Sequence, residues 1–70
     1  SDKWRVTVRG GGANLYRITE QDDEYYVEHE HFRLLGPNDR DVIGKTDSKE
    51  DAIELIRSSS GEDIEEINEM

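Results

Sequence analysis

The stretch DSKEDAIELIRSSSG, residues 47–61, decides how the rest of the chain is read, because it carries a full set of helix signals. Asp47 with Glu50 three positions later forms a capping-box-like start. Ala52, Ile53, Leu55 and Ile56 then share one face at helical spacing. Arg57 suits the electronegative end of the helix, and Ser58-Ser59-Ser60-Gly61 stops it. A helix with a single apolar face needs a cover, and the residues before it read as strands.

Lys3 to Arg9 alternates cleanly, with Trp4, Val6 and Val8 on one face and Lys3, Arg5, Thr7 and Arg9 on the other. That is the pattern of a half-buried strand. Gly10-Gly11-Gly12-Ala13-Asn14 breaks it with residues that tolerate positive φ. Leu15 to Gln21 resumes as a strand, so the two are expected to form a hairpin. Gln21 to Glu24 reads as a polar turn. Tyr25 to Leu35 reads as one long strand whose alternation changes phase, which predicts a bulge or bend near Glu28 to His31. Gly36-Pro37-Asn38-Asp39 is a turn, and Val42 to Lys45 a short return strand.

The expected architecture is therefore α+β: an antiparallel meander of three to four strands packed by one C-terminal helix over residues 1–61. In residues 62–70, Ile64, Ile67 and Met70 recur every third position among acids. That spacing predicts a second short helix or a flexible acidic tail.

With 70 residues the chain makes one domain at most, and only about 60% of its unfolded surface becomes buried at this size. It has no cysteine, which removes disulfides and thiolate metal sites. No apolar run approaches the ~20 residues of a membrane span, so a cytoplasmic location with no membrane partner is the default expectation. The net charge is −9, distributed unevenly: residues 1–17 carry +3 and residues 18–70 carry −12. Such a surface repels nucleic-acid phosphates and attracts basic partners, so direct nucleic-acid binding is disfavoured.

Motifs with chemistry are sparse. His29 and His31 lie two apart and point the same way on a strand, as two ligands of one metal ion would, but a third ligand must come from elsewhere. Asp39 to Glu50 has the length of a calcium loop, yet Ile43 occupies a position that needs an oxygen donor. Gly44-Lys45-Thr46 matches only the end of a phosphate-binding loop, with Asp39 where its glycine should stand. No serine has a base beside it, and a catalytic carboxyl would need a desolvated pocket that so small and polar a chain hardly encloses. No cofactor is implied.

The sequence thus points away from an enzyme and toward a small interaction domain that binds a basic protein surface, one version being a mimic of nucleic-acid charge or an inhibitor. Glu62, Asp63, Glu65 and Glu66 of the tail, with Tyr26, Glu28 and Glu30, are the expected partner-binding residues. The alternatives are a metal- or small-ligand-binding protein using His29 and His31, or a homo-oligomeric structural domain.

Overall fold

Apolar alternation at Trp4, Val6 and Val8 builds the first strand, and its apolar face becomes the floor of the core. The computed structural model describes residues 2–10 and 15–70, which form β1 (Lys3–Val8), β2 (Leu15–Gln21), β3 (Glu24–His31), β4 (Asp39–Thr46), α1 (Lys49–Ser60) and β5 (Ile64–Glu69). All neighbouring strands run antiparallel, in the order β4-β3-β2-β1-β5. The α+β class stands, with two corrections. The sheet has five strands rather than three to four, and residues 64–69 form its edge strand instead of a helix or a loose tail. The connection read at Gly10–Asn14 lies, from Gly11 on, outside the described residues.

Register explains the core. Trp4 opposes Ile18, Ile18 opposes Val27 and Val27 opposes Gly44, while Val6 opposes Tyr16 on one side and Ile67 on the other. Val6, Val8, Ile18 and Val27 are fully buried with Ala52 and Ile56 of the helix, and Tyr16 is nearly so. Gly44 matters here. A Cβ at that position would meet the Leu55 side chain at 2.6 Å, so the absent side chain lets α1 settle onto β4.

The helix starts one residue later than the sequence suggests. Ser48 is the N-cap, its Oγ accepting from the Asp51 N–H at 3.1 Å, and Gly61 at φ 71° closes the C-terminus by donating to the Arg57 carbonyl. Serine outcompetes Asp47 because its short hydroxyl reaches the third N–H of the helix once the strand has ended at Thr46. The chain must next travel from β4 at one edge to β5 at the other, ~19 Å across four strand gaps. Because β4 and β5 point the same way, the connection must also return along the strands, and the twelve residues of α1, ~18 Å long, cover part of that diagonal path.

Both edge strands carry an extra residue. In β4, Gly44 opposes Val27 but Val42 opposes Glu28, leaving Ile43 unpaired. In β5, Ile64 opposes Val8 but Glu66 opposes Thr7, leaving Glu65 unpaired. The predicted bulge near 28–31 therefore sits in the partner strand. Nor does β3 run to Leu35: it ends at His31, and Phe32, Leu34 and Leu35 leave the sheet in an exposed loop.

The β2–β3 turn is tighter than the polar stretch implies, with only Asp22 and Asp23 at its centre, at φ 55° and 64°. Two positive values define a type I′ hairpin turn, whose second position strongly favours glycine. Asp23→Gly is expected to raise stability by about 1 kcal/mol by removing left-handed strain from a residue with a Cβ. A urea midpoint unchanged from that of the parent would contradict this account of the turn.

Candidate functional site

One face of the sheet is closed by α1 and the other is open. Side chains on the open face are fixed by register: Arg5 stands between Asn68 and Arg17, Arg17 opposes Glu28, and Leu15 opposes Glu30, which in turn opposes Arg40. Two arginines directly opposed across strands repel and need a counter-charge. Glu30 supplies it. Its carboxylate lies 3.2–3.3 Å from Arg5 Nη2 and 3.5 Å from Arg17 Nη2, and it accepts from Asn38 Nδ2 at 2.8 Å.

Glu30 is the one buried charged residue among those described, at 3% exposure. Burial pushes its carboxyl upward, but the Asn38 amide and the charges of Arg5 and Arg17 outweigh that and hold it below the ordinary value of 4.5. Asn38 is oriented at both ends, since its Oδ1 accepts from the Arg33 N–H at 3.1 Å. The β3–β4 loop is thereby drawn over the open face. Between that loop and the strands lies a cleft of about 430 Å³, walled by Arg5, Arg17, Glu30 and Arg40 with Gly36 to Asn38 as its rim.

The expected partner-binding residues divide into two places. Tyr26, Glu28 and Glu30 share the open face of β3, where Tyr26 and Glu28 are half-buried, Glu28 lies 4.0 Å from Arg40 Nε, and Glu30 is engaged as described. Glu62, Asp63, Glu65 and Glu66 are all exposed on and just before β5, at the opposite edge of the sheet from β4. A further acidic concentration appears at the end of the sheet that holds the β2–β3 turn. There burial, the charge and hydrogen bond of Glu20, and the charges of Glu50 and Asp23 all push the Tyr25 hydroxyl above its ordinary value. Glu20 and Glu50 are far apart in sequence, and only the helix brings them to one tyrosine.

Comparison with family models, curated proteins and solved structures found no match for this chain. What the site does must therefore come from its own geometry.

The two histidines do meet. Their ring centroids are 4.2 Å apart, His29 stacks on Tyr16 at 4.7 Å, and His31 Nε2 lies 2.9 Å from Asp41 Oδ2. Among the described residues no group of three or more His, Asp or Glu is placed to hold a metal ion. The calcium-loop spacing dissolves, because Asp39–Thr46 is extended strand and its side chains diverge to two faces. Lys45 is taken up by Glu24 at 3.1 Å, at the far end of β4 from the cleft.

Sequence reasoning missed Arg5, Arg17, Arg40 and Asn38. A signal was present: the outward face of β1 carries Lys3 and Arg5 and no acid, and Glu30 alternates in phase with outward positions of β3. Linking them requires the register between three strands, which no local pattern encodes.

Proposed function

We propose that this domain is a non-enzymatic interaction module whose acidic β5 edge meets a basic protein surface. The observation that carries the reading is the nature of that edge. β5 has a neighbour on one side only, and Glu62, Asp63, Glu65 and Glu66 stand exposed along it. An edge strand offers unpaired backbone donors and acceptors, so charge decides what can approach it.

A second copy of β5 would set glutamates against glutamates, which disfavours pairing of like edges. A basic strand or surface gains both backbone pairing and charge complementarity, with association accelerated at low salt. The groove of a nucleic-acid-binding protein is one such surface, which makes charge mimicry a concrete form of the reading.

Replacing Glu62, Asp63, Glu65 and Glu66 together by their amides is expected to weaken capture of a basic partner by about tenfold or more at low salt, with the circular dichroism spectrum preserved. The assay passes lysate over the immobilised domain at low and high salt and compares parent with variant. Equal capture by both at low salt would remove the β5 edge from the interaction.

A further inference from the structure

The cationic cleft on the open face is not explained by the acidic edge. Arg5, Arg17 and Arg40 enter it, while the carboxylates within reach are Glu30 and, 4.0 Å from Arg40, Glu28. One positive charge is left over, in a molecule of net charge −9. Stability does not call for this arrangement at Arg17, whose side chain is 15% exposed, because desolvating a guanidinium costs free energy that a hydrophobic replacement would avoid.

Donors are also in excess. Each guanidinium carries five N–H groups in a planar fork. Glu30 has only two oxygens, and Arg5, Arg17 and Asn38 already share them. The Nε–H groups of Arg5 and Arg17 are buried with no hydrogen-bond partner. What the cluster lacks is an acceptor with two oxygens and a single negative charge. A phosphate dianion would bring more charge than the cluster leaves uncompensated, and it would sit against Glu28 and Glu30.

The surroundings add an apolar component. The loop that forms the rim exposes Phe32 at 63%, Leu34 at 86% and Leu35 at 82%, and Val42 on the open face of β4 is exposed beside Glu28. These are four of the six large hydrophobic residues exposed among those described; three lie in the β3–β4 loop and Val42 lies on β4, two residues beyond Arg40. Large apolar side chains exposed on the same loop whose Gly36 to Asn38 rim a charged cleft mark a contact surface. We propose that the cleft binds a small monocarboxylate carried on an apolar body, with Arg5, Arg17 and Arg40 holding the carboxylate and Phe32, Leu34 and Leu35 covering the apolar part. Glu30 and Asn38 act as positioning residues that hold the arginines and the rim in place.

The test is an NMR titration of the full chain at constant pH and ionic strength, following the arginine Nε–H signals and the backbone amides of Leu35, Gly36 and Asn38. Sodium hexanoate is expected to give saturable shifts confined to these signals, with acetate binding about tenfold more weakly because it lacks the apolar body. Arg40 sits on the exposed edge strand opposite Glu30, but its ion-pair partner is Glu28, and the Glu30 bridge is made to Arg5 and Arg17. Arg40→Gln therefore leaves that bridge in place. It should weaken hexanoate by about tenfold while amide dispersion stays intact. Hexan-1-ol shifting the same signals with equal affinity would show that the carboxylate is irrelevant. Inorganic phosphate matching hexanoate would overturn the monocarboxylate assignment. Unsaturable drift of all arginine signals, or hexanoate affinity unchanged in Arg40→Gln, would overturn the site itself.

Discussion

Ile18→Ala is expected to destabilise the fold by about 3–4 kcal/mol, the largest effect of any single substitution considered. Ile18 is fully buried at the centre of the sheet, between Trp4 of β1 and Val27 of β3, with the helix above it. Removing three carbons there loses their transfer free energy and leaves a cavity that two flanking strands, held in register, cannot close. A domain of 70 residues has roughly 3.5–10 kcal/mol in total, so the variant sits near its unfolding threshold at room temperature. The single tryptophan provides the readout. Trp4 lies 6.3 Å from Tyr25 and beneath the Lys49 ammonium at 4.6 Å, on the same buried face, so its emission reports loss of this packing. Urea titration of Ile18→Val should lose only about 1 kcal/mol. A loss of the same size in both variants would mean that the cavity is not the cause.

Glu30→Gln is expected to cost about 2 kcal/mol at neutral pH. Removing one partner of a fully buried pair costs more, about 3–5 kcal/mol. Here water reaches the Arg5 side chain, which is 39% exposed, and screens part of the loss. A domain of this size should melt about 10 °C lower for such a change. The pH dependence has a definite sign. Because the folded carboxyl titrates below its ordinary value of 4.5, its contribution is fully present above that pH. It is lost as pH falls through the lower folded value. The gap between parent and Glu30→Gln should therefore be constant near neutrality and close below about pH 4.5. A gap that widened on acidification would show that Glu30 is not held ionised by Arg5 and Arg17.

These two residues separate the part of the molecule legible in the sequence from the part that was not. Ile18 could be placed in the core from alternation alone, as could Val6, Val8 and Val27, because period two assigns a face before any partner is known. The helix at 49–60 was equally local: its cap, its apolar stripe and Gly61 lie within one short window. Glu30 read as a partner-binding acid on the sheet surface, whereas its burial depends on Arg5, Arg17 and Asn38 arriving from two other strands and a loop.

The tail shows why local reading fails at an edge. Ile64 and Ile67 are three apart, a spacing that fits a helix and puts them on opposite faces of a regular strand. The bulge at Glu65 adds one residue, so both face the core side beside Val8 and Val6. The partner that induces this geometry lies more than fifty positions upstream. By itself, then, the sequence determined the helix, the inner strands, their buried faces and the acidic character of the surface, since these depend on neighbours a few residues away. The fifth strand, the order that places it beside β1, and the union of Arg5, Arg17, Glu30 and Arg40 in one cleft were decided only by the tertiary structure, because strand register is a property of pairs of segments and not of either one.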